Sequence, residues 1–87
     1  MSNRFMAKRT RNKYTVVVRN DEVTTVEDAY EAIRRAFGYD VTQTTMMMYL
    51  IEEKGQSVGR EYTELERAEF ALQTLLKAGM DAELLQI

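Results

Sequence analysis

Eighty-seven residues with a net charge of -2 and no cysteine, histidine, proline or tryptophan make one small domain, which buries only about 60–65% of its unfolded surface and so carries its function on the outside. The missing cysteines exclude disulfides, thiolate nucleophiles and thiolate zinc ligation, and the missing histidines remove the usual general base and metal ligand, so no enzyme, cofactor or metal site is expected. The longest apolar run is the six residues Met46 to Ile51, against roughly 18–20 for a bilayer span, and the basic N-terminus lacks an apolar h-region, which points to a soluble, cytoplasmic protein with no membrane partner.

Residues 1–13 hold Arg4, Lys8, Arg9, Arg11 and Lys13 and no acid, leaving seven Lys/Arg against fourteen Asp/Glu in residues 14–87. The chain is thus a basic arm on an acidic body. The arm shows neither helical nor alternating patterning and reads as a flexible extension of 1–13. Such an arm is a solvated terminus, a docking tail for an acidic protein surface, or a nucleic-acid contact. The acidic body repels phosphates and disfavours the last.

Tyr14, Val16, Val17 and Val18 form a β-branched run that ends at Asn20-Asp21-Glu22, a first strand. Thr24-Thr25-Val26-Glu27 has capping-box spacing, and Val26, Ala29, Tyr30, Ile33 and Phe37 follow at helical intervals up to Gly38, giving a helix of about 25–37. A second box, Asp40-Val41-Thr42-Gln43, opens a helix through Met48 and Ile51 that stops at Gly55. Val58, Arg60 and Tyr62 alternate as a short second strand, with Gly59 a candidate bulge. Thr63-Glu64-Leu65-Glu66 is a third box, opening a helix with Leu65, Ala68, Leu72, Leu75 and Leu76 on one stripe until Gly79. Ala82 to Ile87 is apolar enough for a closing strand. The expectation is a single α+β domain over 14–87 in the order β-α-α-β-α-β, a three-stranded antiparallel sheet packed by three helices.

Asn20, Asp21 and Glu22, at a strand end before a helix, suit turn chemistry, since Asn and Asp bond neighbouring backbone groups. They also suit an anionic notch for an ammonium ion, where charge strengthens the hydrogen bonds. Met46, Met47 and Met48 point about 100° apart on a helix, so at least one approaches the surface, either as adaptable lining of a pocket or beside plain core filler. Glu52 and Glu53 sit at a helix C-terminus, against the dipole, either solvated or placed there for another purpose.

Taken in order, the strand ending Val-Val-Val-Arg-Asn-Asp-Glu, the Thr24-Thr25-Val26-Glu27 entry, Ala36-Phe37-Gly38-Tyr39-Asp40, the methionine-rich helix, Glu-Lys-Gly and Tyr62-Thr63 resemble the ClpS family, adaptors of Clp-type AAA+ proteases, from about Tyr14 to Gln86. The resemblance implies an N-degron adaptor with a ClpS core-like fold. Such a protein holds substrates that begin with Leu, Phe, Tyr or Trp and delivers them to the N-terminal domain of a ClpA- or ClpC-like unfoldase of the Clp/Hsp100 class. By position, Asn20 and Asp21 match the pair that accepts hydrogen bonds from the substrate α-ammonium, and Thr24 matches a threonine at the pocket mouth. Val26, Ala29 and Met48 match the apolar pocket, and Met80 stands nearest to a leucine from the family's C-terminal part. The basic arm matches the extension that engages the unfoldase.

Two positions and one short segment depart from the family. Its pocket histidine aligns with Glu52, whose carboxylate either accepts the same hydrogen bond or, if misdirected, alters recognition. Val26 replaces a methionine gate, which is expected to admit β-branched first residues. Ala68-Glu69-Phe70-Ala71 replaces an alanine-glutamate-x-lysine pattern tied to unfoldase docking. A rival from another class is a small nucleic-acid-binding regulator acting through the arm. Its signature is duplex DNA binding that weakens steeply with salt and disappears when residues 1–13 are deleted.

Overall fold

The β-branched run becomes strand β1 (Tyr14–Arg19), the central strand of a three-stranded sheet in the order β2-β1-β3. The structure is a computed structural model describing residues 12–87; of the basic arm only Asn12 and Lys13 are included, so its expected flexibility lies outside the described residues. Strand β2 (Gln56–Val58) and strand β3 (Asp81–Gln86) both run antiparallel to β1, with Val17 opposite Val58 on one side and opposite Glu83 on the other. Side chains alternate across a strand. Val16 and Val18 accordingly join the core formed with the helices, while Thr15, Val17 and Arg19 take the other face.

Three helices cover one face: α1 (Val26–Phe37), α2 (Val41–Lys54) and α3 (Leu65–Lys77). The α+β order is the one the sequence predicts. Capping follows the sequence less evenly. The second box forms in full, with Gln43 N donating to Asp40 Oδ1 at 2.7 Å and Asp40 N to Gln43 Oε1 at 3.0 Å. The first is displaced by one residue, because Thr25 caps α1 by accepting from Asp28 N at 3.1 Å. The third does not form: Glu64 occupies the cap position without a side-chain bond and pairs with Arg67 at 3.1 Å. Tyr62 is held to Tyr14 by two backbone bonds of 2.7 Å, so the chain uses Thr63 and Glu64 to leave the sheet.

Two apolar faces also differ from the predicted stripes. Helix α1 buries Ala32, Ile33, Ala36 and Phe37 and leaves Val26 71% exposed, while α3 buries Ala68, Ala71 and Leu75 and exposes Leu65 and Leu76. Alanines make up much of both buried faces, and α1 and α3 pack against each other. The methionines divide as their spacing requires: Met46 is exposed, Met47 lies in the core and Met48 is half-buried between.

The second strand is shorter than expected and continues only as an isolated bridge between Tyr14 and Tyr62. From Val17 to Tyr14 is three steps, but from Val58 to Tyr62 is four, so one extra residue bulges out at 59–61. Gly59 belongs at this bulge because a Cβ there would run into the buried Phe37 ring. Gly59→Ala is therefore expected to destabilise the protein by about 1–3 kcal/mol through overpacking, read as a lowered urea midpoint at unchanged m-value.

Candidate functional site

Where β1 ends, the chain turns through residues 20–25 into α1, and this loop, α1, α2 and the turn before β3 enclose a cavity of about 200 Å³. Asn20, Asp21 and Thr24 come from the loop, Val26 and Ala29 from α1, Met48 and Glu52 from α2, and Met80 from the α3–β3 turn. All eight residues matched through the family resemblance border this one space, whereas Glu22, Met46, Met47 and Glu53, also singled out in the sequence, do not. Ile33 and Ile51 border it as well, although their sequence pattern marks them only as core. They lie one helical turn from Ala29 and Met48, on the same faces, and that spacing is the signal that could have found them.

Asp21 shapes the loop. Its Oδ1 accepts from Val23 N at 2.9 Å and Thr24 N at 2.7 Å, and its Oδ2 lies 3.3 Å from Thr24 Oγ1. The Thr24 amide first, then the Val23 amide and Thr24 hydroxyl, hold the Asp21 carboxyl below its ordinary range against partial desolvation. The turn chemistry expected of this segment is thus carried out by Asp21, whose Oδ1 is taken up by two backbone amides of its own loop. Asn20 and Glu52 differ: both are exposed, and among the described residues neither side chain makes a hydrogen bond or ion pair. The Thr24 hydroxyl, also 3.3 Å from Gly79 O, links the loop to the α3–β3 turn.

Arg19 also borders the cavity, but strand alternation carries its side chain to the opposite sheet face, where it pairs with Glu83 at 2.6 Å and Asp81 at 3.5 Å. The Glu83 hydrogen bond raises the Arg19 pKa and keeps the guanidinium charged. Its charge is matched there, so Asp21 and Glu52 leave the cavity rim negative. Acceptors and negative charge at the rim over an apolar interior suit a ligand with a cationic donor next to an apolar group.

A broader hollow of about 530 Å³ lies beside α3, between Phe37, Arg60, Tyr62, Glu66, Arg67 and the exposed Phe70. Arg60 donates to the C-terminal carbonyl of α1 at Phe37, 2.9 Å away, and lies 5.3 Å from the centre of the Tyr39 ring. No helix among the described residues is long and apolar enough to cross a membrane, and none of their His, Cys, Asp and Glu side chains group in threes suited to a metal ion.

A family model described as ATP-dependent Clp protease adaptor protein ClpS matches residues 9–84. The ATP-dependent Clp protease adapter protein ClpS of Edwardsiella ictaluri (strain 93-146) is 32% identical over 50 residues, covering 58% of this chain and 47% of that protein. The match spans about half the length of that relative.

Because the folded Asp21 carboxyl has a lowered pKa, its contribution to stability is complete above the unfolded value of about 3.9 and is lost as pH falls through the folded value. Asp21→Ala is expected to cost about 1 kcal/mol at neutral pH, as for loss of a side-chain cap. Asp21→Asn should flatten the acid limb of the stability profile, checked by urea midpoints measured between neutral and strongly acid pH.

Proposed function

The chain belongs to the ClpS family, and on that premise we propose that it is a Clp protease adaptor that binds the free N-terminal residue of a substrate in the loop–α1–α2 cavity and delivers it to a Clp-type unfoldase. The observation that carries this reading is the convergence of eight residues, separated by up to sixty positions in sequence, on a cavity with acceptors at its rim and hydrocarbon inside. An N-terminal residue presents the complementary chemistry, an ammonium beside a side chain.

In this reading Asn20 and Glu52 accept the ammonium hydrogen bonds with side chains that have no other partner among the described residues, and Asp21 adds charge while holding the loop in shape. Val26, Ala29, Met48 and Met80 receive the first side chain, with Thr24 at the mouth. Desolvating an ammonium is costly unless its donors are matched, so internal and blocked residues are rejected. The exposed Val26 leaves the entrance wide enough for a β-branched first residue. The basic residues 1–13 and the exposed face of α3 around Phe70 are the surfaces offered to the N-terminal domain of a ClpA- or ClpC-like unfoldase.

Fluorescence anisotropy with a peptide beginning in Phe or Leu tests the binding step. Acetylating the peptide should weaken binding about 10–100-fold, since each hydrogen bond to a charged group contributes about 1.5–3 kcal/mol. Glu52→Gln should weaken the free peptide and leave the acetylated one unchanged, and an Ile-starting peptide should bind measurably. Equal affinity of the free and acetylated peptides would rule out ammonium recognition. For the partner, removing residues 2–13 should reduce capture of an unfoldase N-terminal domain while leaving peptide affinity intact; unchanged capture would remove the arm from the interface.

A further inference from the structure

The hollow of about 530 Å³ beside α3 has an apolar floor and an acidic edge. Ala36 and Phe37 are buried beneath it and Tyr62 is half-buried, while Phe70 stands 60% exposed at its side. The positive groups around it are already engaged: Arg67 pairs with Glu64 at 3.1 Å, and Arg60 donates to Phe37 O and faces the Tyr39 ring. Glu66 precedes Phe70 by one helical turn on the same face and Glu69 adjoins it in sequence; neither has an ion pair among the described residues. Residues 61–70 hold Glu61, Glu64, Glu66 and Glu69 against the single base Arg67. An occupant that matches this surface carries positive charge and a large apolar side chain.

The chain contains such a segment, and it joins the fold beside the hollow. Tyr14 is bonded to Tyr62 at 2.7 Å, and Lys13 Nζ lies 3.9 Å from Glu61 Oε1. Residues 2–11 hold Arg4, Lys8, Arg9 and Arg11 with no acid, and Phe5 is their one aromatic residue. Eight steps of chain lie between Lys13 and Phe5, up to about 26 Å when extended, and Phe70 is only about 8 Å along α3 from its start at Leu65. We propose that residues 2–11 fold back over the hollow, with Phe5 seated against Phe70 and the basic side chains over Glu61, Glu66 and Glu69. Seating one ring does not offset the ordering of ten residues, so the closed form depends on charge and apolar contact together. Where the adaptor reading given above holds, on which this consequence rests, the arm and α3 cover one another until an unfoldase separates them, and its apparent affinity is reduced by the closed fraction.

The chain has no cysteine, so Asn3→Cys places a single nitroxide label beside Phe5. In the full chain, the amide signals of Glu66, Arg67 and Phe70 should be selectively broadened, and the broadening should be lost on adding either Phe5→Ser or the pair Glu66→Gln and Glu69→Gln. Broadening that is absent, spread evenly over the surface or unmoved by Phe5→Ser overturns the fold-back. So does broadening that arises only when the labelled chain is mixed with isotope-labelled chain lacking the nitroxide, since the contact is then between two copies. Capture of a ClpA N-terminal domain separates this inference from the adaptor reading. Phe5→Ser, which frees the arm but keeps its charges, should strengthen capture about 3–10-fold, the opposite of removing the arm; unchanged capture overturns the covering of α3. Selective broadening without capture by any variant overturns the adaptor reading and leaves the fold-back standing.

Discussion

The carboxylate of Asp21 draws the amides of Val23 and Thr24 to within 2.9 and 2.7 Å of one oxygen, and the shape of the loop over the cavity depends on that grip. Without it, the backbone donors between β1 and α1 would turn to water and the start of α1 would lose its fixed approach to the sheet. One oxygen of that carboxylate is committed to the loop, and in the proposed reading recognition at the rim is shared with neighbours that are not: Asn20 beside it in sequence and Glu52 across the cavity on α2. One acidic side chain gives the site its form, and the other, with Asn20, is left available to a ligand.

The scaffold that presents this rim is thin and closely fitted. Strand β1 is buried along Thr15 to Val18, its helix-facing valines meeting Ile33 and Phe37 of α1, Met47 and Ile51 of α2, and Leu75 of α3. The bulge after β2 brings Gly59 against the Phe37 ring, and Arg60 then reaches back to the last carbonyl of α1. Helix α2 does three jobs with three consecutive methionines: Met46 faces outward, Met47 fills the core and Met48 lines the cavity. A helix advancing about 100° per residue cannot do otherwise with three large apolar side chains in a row.

Much of this is legible in the residues. The Asp40–Gln43 box, the glycines ending α1 and α2 and the valine run of β1 are local features whose chemistry is complete within a few positions, whereas the bulge at Gly59, though flagged by its glycine, is fixed by the distant Phe37 ring. The order of elements follows from them. What the pattern misplaces depends on distant contacts. The threonine at 63 has the spacing of a cap, yet the bridge from Tyr62 to Tyr14 holds the chain in the sheet too long for it to act. Val26 lies on the apolar stripe of α1, yet the buried face of that helix runs through Ala32, Ile33, Ala36 and Phe37 and leaves Val26 exposed at the entrance. The eight candidate residues are reachable through family resemblance, but the division of labour between Asp21 and Glu52 requires the hydrogen bonds themselves. The absence of histidine, which at first only argues against catalysis, bears on the proposed site as well, where the family resemblance sets Glu52 against a pocket histidine.

The central claim is that a free N-terminal residue enters the cavity between the β1–α1 loop and α2. A nitrogen-15 NMR titration of the full chain with a short Phe-starting peptide tests it directly. The account predicts saturable amide shifts at Asn20, Asp21, Thr24, Ala29, Met48 and Glu52, with α3 around Phe70 unmoved. Shifts concentrated on α3 or on the open face of the sheet, with the loop and α2 silent, would contradict it.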